Sequence, residues 1–343
     1  MTAAARPPDA TASGDSCPSP RAVGSVVDRT WRSFGDVVEG LATERRLIGL
    51  AFVRIVASLV ALVYLLGQWP TRHLIWGPDG SYPTWLFERE LPFMPAPSVL
   101  AVSSPFAFEA LNHLTIAVAI CHLIGWGSFP IRLAFAILVW SLLRRHPYVM
   151  TGGDSLLLLA VPWLLLTNTG AYLSADSGWR GIGAGWRPGA RPWRALLHNV
   201  GVFGLLWQLS VMYLFAGLYK LYGAPWLDGS AAGAVLRIDR FSLPGVSELV
   251  YGSPLLSAVL TYWTTAFELT APLLLWLPAT RWLVAVQSVL FHGGIGVTMG
   301  LVTFAFEATM LQFVVFPDAS YRRLAARCSA RLATLVRYRP RFE

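Results

Sequence analysis

The apolar residues of this chain come in runs of membrane-spanning length rather than in short amphipathic stripes. A helix needs about 20 such residues to cross the hydrocarbon core, where every backbone amide must be satisfied internally. The runs cover residues 47–69, 106–125, 130–143, 154–169, 200–221, 254–277, 281–300 and 301–316. They predict an all-α fold, a polytopic integral membrane helical bundle of about eight transmembrane helices. The count is seven if the last two runs, which are barely separated, form one. Composition agrees, with 55% of the 343 residues hydrophobic and 13% charged, against about 25% charged in soluble domains. The expected location is the cell membrane, multi-pass, with the lipid bilayer as the first partner.

Three parts follow along the chain. Residues 1–46 form a tail, polar and proline-rich over 1–22. An amphipathic interfacial helix is expected over 23–46, with Val26, Val27, Trp31, Phe34 and Val38 on one side. Residues 47–317 form the transmembrane domain, and residues 318–343 a basic tail. The N-terminal tail carries six arginines, the loop between the fourth and fifth runs four, and the C-terminal tail seven. An excess of basic residues marks the cytoplasmic side, so both termini are expected there. Arg144 and Arg145 break the rule, because eight crossings put them outside.

Several function classes are excluded. No basic stretch is interleaved with base-stacking aromatics, so the net charge of +8 suits an anionic leaflet and not nucleic acid. Cys17, Cys121 and Cys328 supply neither a disulfide framework nor a metal-ligand spacing, and no metal site is expected. The first apolar run follows a polar tail and reads as an uncleaved anchor. The spacing Gly181-x-Gly183-x-Gly185 lacks a preceding strand, and Pro188 and Pro192 are expected to block a following helix, which leaves an interfacial loop.

Charged groups inside a span cost about 2.5–3.5 kcal/mol each at its centre, so each asks for a reason. Arg54 lies two turns into the first run, close enough to reach headgroups. Glu109, Asn112 and His113 share one face of the second run. Thr261, Thr264, Thr265 and Glu268 form a polar stripe on the sixth. His292 stands beside three glycines, which either let helices touch or leave flat space for a planar ring. Glu307 sits mid-span in the eighth run.

Lys220 is the one lysine among 27 basic residues, so the other 26 are arginines. Lysine, unlike arginine, can be neutral when desolvated. Its setting is Tyr213-Leu-Phe-Ala-Gly-Leu-Tyr-Lys-Leu221, then Gly223-Ala-Pro-Trp-Leu-Asp-Gly229. Two readings stand side by side. A lysine flanked by Tyr219, Tyr222 and Trp226 can snorkel in an aromatic belt. Alternatively, an amine desolvated in the bundle can serve as a base, with Tyr213, Ala216 and Gly217 leaving room for a ligand below it.

The stretch from Tyr213 through Lys220-Leu221 to Pro225-Trp-Leu-Asp-Gly229 resembles the vitamin K-dependent gamma-carboxylase superfamily, known in bacteria as the horizontally transferred transmembrane domain. His146-Pro-Tyr148 leading to Gly152-Gly-Asp154 resembles that family's short His-x-Tyr connection, and Phe291-His292 with Met299-Gly300 resembles a further stretch. The likeness covers roughly residues 47–317. It implies that Lys220 is the catalytic base and that His146 supports it. Arg145, Tyr213, Gly217, Glu268, His292 and Glu307 are expected around the pocket, with Arg144 and Arg145 at its mouth. The cofactor implied is a menaquinol or vitamin K-type hydroquinone. Tyr219 replaces the first lysine of the family's pair, and Arg145 replaces an asparagine. No counterpart of the carboxylase's large lumenal domain is expected within residues 47–343. Residues 229–245 look closer to bacterial factors that mature a sporulation-delaying protein, which implies a secreted peptide as substrate or partner. A different class of function is a non-catalytic scaffold or immunity-type protein. It would bind such a peptide through outer loops carrying Trp76, Trp85, Phe93 and Trp226.

Overall fold

The computed structural model describes residues 42–90, 92, 97–185 and 191–337. The described residues from Glu44 onward make one compact unit. The interfacial helix expected over 23–46 lies outside the described residues as far as residue 41, and residues 42–46 are not helical. Arg46 instead adopts a left-handed conformation, with φ 62°, and turns the chain into the first helix.

Every apolar run is helical, and no strand occurs among the described residues. The bundle is built from α1 (Leu47–Gly67), α2 (Pro105–Ile124), α3 (Ser128–Arg145), α4 (Gly152–Leu166), α5 (Pro192–Lys220), α6 (Pro254–Leu274), α7 (Arg281–Thr298), α8 (Val302–Met310) and α9 (Gln312–Val315), followed by α10 (Asp318–Arg337). Of these, α1, α2 and α5 are long and apolar enough to cross a membrane. Helix α4 and the segment Val302–Val315 are shorter apolar helices.

Local chemistry sets the starts. Ser104 and Ser253 accept bonds from the amides of Ala107 and Leu256, with Pro105 and Pro254 in the first turn. Thr151 and Asp154 close a reciprocal capping box on α4. Pro192 does not block a helix as expected but opens one. Its missing N–H costs nothing in a first turn, so α5 begins eight residues before the expected run. Helix α1 has no side-chain cap from Arg46. The carboxylate of Asp318 takes that role, accepting from the amides of Leu47 at 3.2 Å and Ile48 at 2.8 Å.

Consecutive helices pack in sequence from α1 to α8, and α8 returns to pack on α1 and across the bundle on α4. The core between them is aliphatic, with Leu50, Val53, Leu157, Leu205, Leu209 and Val314 fully buried. One end of this ring carries the start of α1, the 167–185 connection and the start of α5. The other carries the 68–104 connection, His146 and the 221–253 connection.

Candidate functional site

Helices α5 and α6 make the most extensive pairing in the bundle and approach closely at one point. Gly217 is the reason. A Cβ there would stand 2.9 Å from Leu269 side-chain atoms and 3.1 Å from the Leu269 backbone nitrogen. The space expected for a ligand beside Gly217 is therefore filled by Leu269, and the glycine serves helix contact. This approach brings the Lys220 amine to 2.5 Å from the Glu268 Oε2. The two side chains are 15% and 5% exposed. The amine also lies 4.7 Å from the centroid of the Trp226 ring. Snorkelling toward headgroups with no titratable partner is not the geometry adopted, while Tyr219 and Tyr222 face outward.

The 221–253 connection folds back over α6 as three short helices, Ala224–Leu227, Ala231–Leu236 and Val246–Tyr251. Part of the polar stripe on α6 is spent on holding it. Ser257 and Thr261 each donate to the Gly229 carbonyl at 3.1 Å and accept from the amides of Gly233 and Ala232. Below this lid lies a cavity of about 570 Å³, within the range of small-molecule sites. Lys220, Glu268, Tyr213 and His292 line it, together with a mainly apolar wall that includes Trp226, Trp263, Phe291 and Phe304.

His292 is 4% exposed, and its Nδ1 lies 3.0 Å from the carbonyl of Ser288. A carbonyl only accepts, so Nδ1 carries the hydrogen and Nε2 keeps a lone pair. Tyr213 is held by Ser288 at 2.8 Å and by the Gln312 amide at 2.9 Å. Sequence reasoning missed Ser288 and Gln312. Ser288 shares the face of His292 four residues earlier, and Gln312 is an isolated amide in an apolar run, so both were findable. The glycines after His292 divide. Gly294 lines the cavity and has open space where a Cβ would be, whereas at Gly296 a Cβ would meet Ala305 at 2.9 Å.

Other expected members lie elsewhere. No direct bond joins His146 to Lys220. His146 Nε2 is 3.1 Å from Ser81 Oγ, and its ring stacks on Tyr82 at 5.1 Å. Ser81 already donates to the Leu74 carbonyl, so His146 Nε2 donates and its buried Nδ1 stays unpaired. Burial, reinforced by the Arg145 guanidinium, holds this imidazole below its ordinary pKa. Arg145 is fully buried and donates to the carbonyls of Tyr82 at 2.8 Å and Gly77 at 2.9 Å. It pins the 68–104 connection from inside instead of guarding a pocket mouth, which accounts for a cation on that side of the bundle.

Glu307 is also fully buried but faces α4, and a Cβ on Gly153 would stand 2.1 Å from its Oε2. It does not line the cavity. Glu109 gathers Arg72, His73 and His113 as an ion-pair knot, without Asn112. Of the aromatics expected to receive a peptide, Trp76 is buried and Trp226 lines the cavity. Trp85 is 62% exposed, and Phe93 lies outside the described residues.

No family model, curated protein or solved structure matches this chain. The geometry of the α5–α6–α7 cavity therefore carries the functional reading.

Proposed function

We propose that this chain is a multi-pass membrane enzyme with eight crossings and cytoplasmic termini, similar to the membrane domain of the vitamin K-dependent gamma-carboxylases. Its cavity opens toward the outer side and binds an amphiphilic ligand with an acidic hydroxyl, of which a menaquinol-type hydroquinone is the leading case. The supporting observation is the Lys220–Glu268 pair, which sits in an aromatic-walled cavity and not at a lipid-facing surface. The donor set fits such a group. Flat rings of Trp226, Trp263 and Phe291 suit a planar ligand, and Lys220 and His292 offer a donor and a lone pair to its oxygens. A hydroquinone, when bound, supplies an acidic hydroxyl and reducing equivalents.

The base is the pair and not Lys220 alone. An ammonium held by a carboxylate cannot accept a proton until it has lost one. The 2.5 Å hydrogen bond is a direct path for that proton to Glu268 Oε2. The freed Lys220 amine then takes the ligand's proton, so one proton ends on Glu268 and one on Lys220. Tyr213 and Gln312 hold the floor of the cavity, and the 221–253 lid excludes water.

The test uses the protein in nanodiscs with menadiol under anaerobic conditions, following the absorbance of the hydroquinone anion and the quenching of tryptophan fluorescence. Wild type is expected to bind and to develop the anion signal. Lys220→Arg keeps the charge pair and is expected to bind without the signal, since arginine stays protonated. An equal anion signal from Lys220→Arg and wild type sinks the base role.

A further inference from the structure

The opposite end of the bundle holds two adjoining cavities unrelated to Lys220. The first, of about 250 Å³, is lined by Arg54, Arg132, Arg180, His122 and Asp176. The second, of about 750 Å³, shares Ser128, Arg132 and Asn168 with it and adds Arg194 and Glu44. Apart from Thr167 and His198 its remaining wall is apolar, from Phe129, Leu165, Trp193 and Leu197 among others.

The basic part is a built feature. Arg54 does not reach for headgroups from α1 as its position in sequence suggests. It is 1% exposed, turned inward and held by the carbonyls of Thr169 at 2.9 Å and Leu173 at 2.5 Å. Its Nε is buried and unpaired. Gly125 makes room for it. With φ 68° it turns the chain, and a Cβ there would lie 2.5 Å from an Arg54 terminal nitrogen. Arg132 donates to the Thr167 carbonyl.

The acids nearby are already engaged. Asp176 accepts from Gly127 N, Ser128 N and Ser128 Oγ, and Glu44 accepts from Asn168 at 3.1 Å. His198 is neutral by its bonding. His198 accepts from Asn168 N and donates to the Arg45 carbonyl. His122 faces the Ser58 hydroxyl, which itself donates to the Arg54 carbonyl. Four guanidiniums against two carboxylates leave an excess of two positive charges, the complement of a phosphate. Phe129, Trp193 and Leu197 are 52%, 55% and 42% exposed, and they continue the basic cavity as an apolar trough.

We infer that these two cavities form one site for an anionic phospholipid, its phosphate among Arg54, Arg132, Arg180 and Arg194 and an acyl chain along Phe129, Trp193 and Leu197. Phosphate is matched by guanidinium forks, and basic pockets between membrane helices are suited to acidic headgroups. The adjoining trough favours a lipid over free phosphate, which has no use for an apolar wall.

The test measures thermal unfolding of the detergent-solubilised full chain with added phosphatidylglycerol, phosphatidylcholine or inorganic phosphate, and native mass spectrometry of retained lipid. Phosphatidylglycerol is expected to raise Tm and remain bound, and phosphatidylcholine to do neither. Arg194→Gln, whose side chain holds no backbone carbonyl, is expected to weaken phosphatidylglycerol binding about fivefold, the effect of about 1 kcal/mol per cation near a lipid surface. Arg132→Gln is expected to weaken it further, and if that variant fails to fold, Arg194→Gln decides. Equal stabilisation by both lipids, or wild-type affinity in Arg194→Gln, overturns the site. An equal Tm shift from inorganic phosphate overturns the lipid assignment.

Discussion

Gly217 rests on the Leu269 backbone, and one turn further on Lys220 meets Glu268 across the same helix pair. The ion pair therefore depends on a glycine that touches no ligand. Gly217→Ala adds a Cβ 3.1 Å from the Leu269 nitrogen, which the two helices can accept only by separating. The expected cost is about 1–3 kcal/mol of stability, with loss of the ligand binding described above. Unfolding in detergent and tryptophan quenching measure the two effects, and a variant as stable and as competent as wild type contradicts the reading.

Breaking the pair from one side is expected to be worse than removing it whole. Glu268→Gln leaves a largely buried ammonium without a counter-charge and should lose about 3–5 kcal/mol. The double variant Lys220→Met, Glu268→Leu should recover most of that stability while remaining inactive. A double-mutant cycle in one detergent provides the check, and additive losses would show that the two residues are not coupled.

The His146 connection is expected to loosen in acid. Burial and Arg145 hold this imidazole below its ordinary value of 6.5, so the unfolded chain binds more protons at moderately acidic pH. Stability from this group is then complete above about pH 6.5 and is lost as pH falls toward the folded value. Protection factors over residues 77–84, which divide out the intrinsic fall in exchange rate with acid, should drop on acidification in wild type. In His146→Gln the pH response should be much smaller.

Asp318 caps a helix from the far end of the chain. Asp318→Ala removes the acceptor for two first-turn amides of α1 and should cost about 0.5–2 kcal/mol. Asp318→Asn keeps one acceptor and should cost less. Thermal unfolding of the three proteins tests that order, and an alanine variant equal to wild type rules the cap out as a stabilising contact.

The helices were legible because lipid imposes one signal, apolar length, and each run proved helical within a few residues except at α5. There Pro192 was read as a barrier although it occupies a first turn. Lys220 was conspicuous from composition alone. Glu268 was expected around the same pocket, but its direct bond to Lys220 was not, because 48 residues separate the two and nothing local links a last turn to a stripe on another helix. Arg145 shows the opposite difficulty. Its charge was conspicuous, yet its acceptors are carbonyls of Gly77 and Tyr82, which every sequence possesses and none advertises. Gly217 was misread for a related reason: an absent side chain looks the same whether a ligand or a leucine fills the space.

The cap from Asp318 and the packing of α8 on α1 also constrain biogenesis. Helix α1 meets the Asp318 cap only after some 270 further residues have been made. Until then its opening amides lack their acceptor, whereas the inward-turned Arg54 meets its carbonyls 115 and 119 residues after itself. Translation order and assembly order are thus opposed at α1, and nascent chains arrested before residue 318 should expose this helix to insertion factors and proteases that the finished ring excludes.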